Sequence, residues 1–168
     1  MTNANPYDAP QSEVARLQQA THALLLASRG IRLLAAVLDT ILLGVILAPW
    51  MVFSGYFDAI MRGGDVSYAK EALWTLIGFV AFAVVQGIPL SGNGQTWGKR
   101  IVGIRIFDLQ GNRPSLARLL GLRYLPQHAV YLIPVIAPML VVVDALFICR
   151  HDRRCVHDLI AGTQVVKD

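Results

Sequence analysis

Charge is scarce in this chain of 168 residues: Asp, Glu, Lys and Arg make up 15% of it and apolar residues 55%, where an ordinary soluble domain is about 25% charged. The shortage excludes a soluble domain of ordinary size, because three long apolar runs, residues 33–53, 72–90 and 129–149, leave no room for one. Each is about as long as the ~20-residue helix that crosses a hydrocarbon core roughly 30 Å thick. Cysteine is nearly missing too, with only Cys149 and Cys155, which rules out a secreted disulfide framework. The first twenty residues are polar and contain Asp8 and Glu13. They lack the basic segment and immediate apolar core of a cleaved signal, so the first run is expected to stay as an uncleaved anchor. No internal repeat is visible.

Several chemistries lack their residues as well. The stretch Ser91-Gly-Asn-Gly-Gln-Thr-Trp-Gly-Lys-Arg100 resembles a phosphate loop, but no glycine stands five residues before Gly98, and Arg100 replaces the Ser or Thr that would hold magnesium. It reads instead as a tight turn at Asn93-Gly94 that leads the chain out of the bilayer, with Trp97 at the interface and Lys99 and Arg100 facing anionic lipid headgroups. Cys149, His151, Cys155 and His157 are zinc-type ligands. They are cramped within nine residues and flanked by Arg150, Arg153 and Arg154, so no metal is expected. No Ser/His/Asp or Cys/His arrangement lies on an element that would position it. Neither an enzyme nor a cofactor nor a nucleic-acid partner is expected.

What is present is an acid in the wrong solvent. Asp39 lies inside the first apolar run with Thr40 as its one strongly polar companion, and Arg32 stands seven residues earlier at the entrance. An ionisable group inside a bilayer costs several kcal/mol unless paired, which makes Asp39 a functional candidate. Arg32 and Asp39 share a helix face about 10.5 Å apart along the axis. Arg32 reads as a positive-inside anchor that snorkels to the phosphates, or as the partner of a functional acid. Asp39 is either a titrating group or a packing residue hydrogen-bonded to Gln86, the strongly polar side chain of the second run.

Basic residues set the expected topology. Arg16, Arg29 and Arg32 precede the first run, and Lys99, Arg100, Arg105, Arg113, Arg118 and Arg123 fill the connection 91–128 against Asp108 alone. Both regions are therefore expected on the cytoplasmic side. A simple third crossing would put Arg150, Arg153 and Arg154 of the tail, residues 150–168, outside. Pro134 and Pro138 interrupt that run, so it is either a proline-kinked straight span or a broken hairpin whose arms turn near residues 133–138. In the hairpin, Asp144 approaches the depth of Asp39, and the two acids could share a proton or a cation; in the straight span they are far apart.

The fold expected is thus all-α: a small membrane bundle of three segments, or four with the hairpin, plus a small cytoplasmic β-like element. That element is read from the alternation around Ile104 and Ile106, the turn at Gly111-Asn112 and a partner at Val165 and Val166. Residues 1–30 form a polar tail, in which Val14, Leu17, Leu24 and Leu25 suggest a helix on the interface, or a loose tail. Residues 31–166 form the membrane domain.

Three stretches in order carry a resemblance: Arg32-Leu-Leu-Ala-Ala-Val-Leu-Asp39, then Gly94-Gln-Thr-Trp-Gly-Lys-Arg-Ile-Val-Gly-Ile-Arg-Ile106, then Arg153-Arg-Cys-Val-His-Asp158-Leu-Ile-Ala-Gly-Thr-Gln-Val-Val166. The chain resembles the RDD family of bacterial membrane proteins, named for one arginine and two aspartates. The resemblance implies that these are Arg32, Asp39 and Asp158; Asp144 does not carry over. It marks Gly94, Gln95, Thr96, Gly98, Lys99 and Arg100, with His157, Gly162 and Thr163, as motif positions, and it implies the cytoplasmic (inner) membrane. Two functions follow. One is transport of ions or small ligands, cation/proton exchange among them, which so few segments without repeats could perform only as a homo-oligomer. The other is an accessory or scaffold subunit of a membrane complex.

Overall fold

The computed structural model describes residues 26–64, 66–133 and 136–168; the interfacial helix expected around residues 14–25 falls outside them. Helix α1, Arg29–Phe53, starts where the Ser28 hydroxyl accepts from the Ile31 N–H (3.4 Å), an N-cap that satisfies one orphan donor. It ends at Ser54, and Gly55 takes the left-handed conformation (φ 66) that leads into the short helix α2, Tyr56–Met61. Helix α3, Tyr68–Asn93, is closed by Gly94, also left-handed (φ 65). α1 and α3 are each long and apolar enough to cross a membrane. They touch each other sparingly and meet mainly through what is wedged between their ends. At the far end Tyr56 stacks on Trp74, with ring centroids 5.2 Å apart.

After α3 the chain forms helix α4, Trp97–Ile101, which packs mainly on α1, and strand β1, Ile104–Asp108. β1 pairs antiparallel with the last strand, β2, Thr163–Lys167, in the register Ile104↔Lys167 to Asp108↔Thr163. The alternation seen in the sequence is the cause, since Ile104, Ile106 and Val165 turn inward to the core. On the other edge of β2, Leu26 bridges Val166 and the Ala27 N–H donates to the Val165 carbonyl (3.0 Å). The sheet therefore ties the entrance of α1 to the end of the chain. The core lies at this end, where Ala27, Ala35, Leu90, Leu119 and Phe82 close over the sheet.

The third apolar run is not one helix. Residues 116–132 are helical, as α5 (Leu116–Arg118), a π-helical stretch Leu119–Tyr124, α6 (Leu125–Ala129) and a 3-10 turn. The chain then turns, with Ala137 N–H donating to the Ile133 carbonyl (2.8 Å), and α7, Ala137–Leu146, leads into a 3-10 turn Phe147–Cys149. Pro138 occupies the first turn of α7, where its missing N–H has no helical partner to lose. Arg29 at the start of α1 donates to the carbonyls of Ile148 (3.1 Å) and Cys149 (2.9 Å). Arg118, at the start of the outgoing arm, donates to the Ala161 carbonyl (2.9 Å) of helix α8, Val156–Ala161. Both arms thus begin and end beside the sheet, which a straight crossing does not allow.

Candidate functional site

Asp39 sits where α1 passes the start of α4, and it is occupied. The Gln86 side-chain amide (2.8 Å) and the Gly98 N–H (2.7 Å) donate to Oδ1, the Thr96 hydroxyl donates to Oδ2, and the Lys99 ammonium lies 4.0 Å from Oδ2. The first three N–H groups of α4 are all taken. Trp97 donates to Gln86 Oε1 (2.8 Å), Gly98 to Asp39, and Lys99 to the Thr96 hydroxyl (3.3 Å). A helix start leaves such donors orphaned and carries partial positive charge, so a buried carboxylate from another helix is a fitting cap. Gly98 makes the approach possible: a Cβ there would lie 2.9 Å from Asp39 Cγ and overlap the Ala35 carbonyl oxygen.

Asp158 is fully buried at the start of α8. Arg123 and Thr163 (3.3 Å) donate to its Oδ1, and Arg32 and the Cys155 N–H (3.2 Å) donate to its Oδ2. Four donors fill the capacity of one carboxylate. Burial pushes its pKa up, but the charges of Arg123, His157 and Arg32 outweigh that and hold it well below the usual carboxylate range. His157 donates from Nδ1 to Asp144 (2.7 Å) and faces Arg123 Nη2 with Nε2 (3.3 Å). Burial, then the Arg123 charge, lower its pKa against the pull of Asp144 and Asp158. The Cys155 thiol is pushed up to about 11, chiefly by burial.

The expected residues are thus sorted into two clusters, and some expectations change. Arg32 does not snorkel: its guanidinium is buried and paired to Asp158, because a carboxylate inside is a better partner than distant phosphates. Lys99 likewise turns inward to Asp39 and Thr96, while Arg100 stays exposed and stacks over the exposed Trp97 (5.5 Å). Asp144 does not join Asp39, since its carboxylate is held by the His157 ring and by the His157 N–H (3.0 Å). Gln95 is buried and reaches the Ile104 carbonyl (3.0 Å) and Asp168 (3.1 Å), so its motif packs under the sheet. Gly162 supplies the left-handed turn (φ 61) between α8 and β2.

Arg123 does not stand out in the sequence as a site residue. In the sequence it is one of six basic residues in a connection; its signal was that Leu119, Leu120, Leu122 and Leu125 surround it, which leaves a buried guanidinium in need of an acid. The π-helical stretch that carries it is a feature frequent at functional sites and invisible in periodicity.

A sequence model described as the RDD family matches residues 26–162. An uncharacterized protein, YckC, of Bacillus subtilis is 32% identical over 141 residues, which cover 80% of each chain. An uncharacterized protein of Haemophilus influenzae is 30% identical over 94 residues, 55% of this chain and 58% of its own. No solved structure matches the chain.

Proposed function

The chain belongs to the RDD family of membrane-associated domains, and from this premise we propose that it is a multi-pass protein of the bacterial inner membrane acting as a non-catalytic accessory or scaffold subunit. In this reading α1, α3 and the hairpin form a membrane-inserted base among anionic lipids, and α4, α8 and the sheet form a cap on its cytoplasmic end. The basic residues at that end, Arg29, Arg100, Arg105, Arg113 and Arg150 among them, support the orientation. So do the exposed apolar faces of α1 and α3, with Leu33, Val45, Trp50, Leu76 and Val84 all half or more exposed.

The observation that carries the proposal is the engagement of both buried acids by groups of this chain. Asp39 and Asp158 spend most of their accepting capacity on holding the cap to the base, and the Lys99 ammonium stands 4.0 Å from the less occupied oxygen of Asp39, Oδ2. The groove between α1 and α3, about 480 Å³, is lined by Ile46 on one side and Leu76, Val80 and Val84 on the other, with no polar side chain along it. Photo-crosslinkers placed at the exposed Arg100 and Arg113 in intact membranes test the idea. The expected product is one membrane protein captured at fixed stoichiometry from both positions; crosslinks to other copies of this chain alone speak against it.

Transport is the second reading, and Lys99 favours it. An ammonium 4.0 Å from a buried carboxylate is a group that a cation could displace, so an oligomer could exchange cations for protons at Asp39.

A further inference from the structure

We propose that Asp144, Cys155 and His157 form a divalent-metal site suited to zinc, independent of the scaffold reading. One ligand atom from each lies within 4.8 Å of the others, while tetrahedral zinc, with bonds of about 2.0–2.3 Å, sets ligand edges near 3.3–3.7 Å. The widest pair needs to close by roughly 1 Å on that basis. The three donors, carboxylate, thiol and imidazole, are zinc's own ligand types, and they come from two places. Asp144 is on the returning arm of the hairpin, and Cys155 and His157 flank the start of α8. Cys155 is buried, and the other two are partly open to solvent, which gives an ion a way in from their side.

The arginines that argue against a cation in the sequence are committed elsewhere. Arg150 pairs with Asp152 (3.3 Å), Arg153 donates to the Leu26 carbonyl (3.3 Å), and Arg154 donates to the carbonyls of Thr163 (3.0 Å) and Asp158 (3.3 Å). Arg32 and Arg123 are shared by Asp158, and Arg32 Nη2 stands 3.6 Å from Cys155 Sγ, where its charge offsets part of the burial cost of a thiolate. With Asp144 and Cys155 as anions, a divalent ion is neutralised by its own ligands.

The proton balance is specific. Without metal, the His157 proton is on Nδ1, because Nε2 faces the donor Arg123 Nη2. When metal takes Nδ1, that proton moves to Nε2, which turns to Asp158 Oδ1, now 3.9 Å away, in place of the long bond from the Thr163 hydroxyl (3.3 Å), as Arg123 Nη2 moves aside. The result is a carboxylate–histidine–metal relay. The Cys155 thiol proton goes to solvent, so one proton is released per ion.

Cobalt(II) titration of the full chain in detergent, after stripping with chelator, tests the site. The expected result is one cobalt per chain, a thiolate-to-cobalt charge-transfer band, tetrahedral visible bands, release of one proton, and displacement by zinc. Cys149→Ser keeps the band, since Cys149 is exposed and outside the cluster, and Cys155→Ser abolishes it. No band in the wild type overturns the proposal, as does a band that survives Cys155→Ser. Should Cys155→Ser fail to fold, Asp144→Asn, which leaves the contacts of Asp158 in place, is expected to weaken cobalt binding by about tenfold or more; unchanged affinity overturns the site.

Discussion

Asp158→Asn removes a charge without changing shape, and the structure sets the size of the effect. The carboxylate lies between Arg32 and Arg123 and also accepts from the Cys155 N–H and the Thr163 hydroxyl. An amide keeps one accepting oxygen and turns an NH2 toward two of those donors. It also leaves two buried guanidiniums, 7% and 2% exposed at the side chain, without a counter-charge. Breaking a buried ion pair from one side costs about 3–5 kcal/mol, against a total stability of roughly 5–15 kcal/mol for a typical domain. The expected outcome is release of α8 and β2 from the base while α1 and α3 remain helical. In detergent, thermal melting followed by near-ultraviolet dichroism reads that release, and far-ultraviolet dichroism reports the retained helix. Adding Arg123→Met to the Asn variant removes one orphaned cation and is expected to recover part of the loss, a coupling that separate sites do not show. A single Asn variant within about 0.5 kcal/mol of wild type, or a double variant whose costs simply add, rules out an Arg32–Asp158–Arg123 cluster that stabilises the cap.

Other outcomes follow from the same geometry. Gly98→Ala forces α4 off α1 against the Ala35 backbone and is expected to cost about 1–3 kcal/mol in the same melt. Gly92→Ala, in helix α3 with open space around it, is expected to be neutral or to stabilise by up to about 1 kcal/mol. Maleimide is expected to label Cys149 in the folded protein and Cys155 only after denaturation, because the first is exposed and the second buried; mass spectrometry of the digest decides. In inverted vesicles, the exposed Cys149 and an introduced Lys167→Cys are expected to label from the cytoplasmic side, and Arg62→Cys from the other.

The sequence revealed parts of the site but not their pairing. Asp39 and Arg32 stand out as ions in apolar surroundings, and the strand pairing follows from alternation at Ile104, Ile106 and Val165. The turn near residues 133–138 follows from two prolines and from the arginines after Cys149, which a straight crossing would strand outside. Which acid meets which base is another matter. Arg32 pairs across 126 residues with Asp158 and Arg123 across 35, and no local spacing encodes such contacts. Arg32 and Asp39 share a face of α1 yet serve different clusters, because α4 enters beside Asp39 while α8 closes over Arg32. Depth alone sets Asp144 beside Asp39, and depth does not see that His157, thirteen residues on, folds back onto it.

In the scaffold reading Asp39 is a structural cap on α4 and carries no ion. Proton movement in liposomes holding the purified protein, driven by a sodium or potassium gradient, tests it directly. The expected rate is that of empty liposomes for wild type and for Asp39→Asn alike. Gradient-driven proton movement by wild type that Asp39→Asn abolishes, in a variant that still folds, contradicts it.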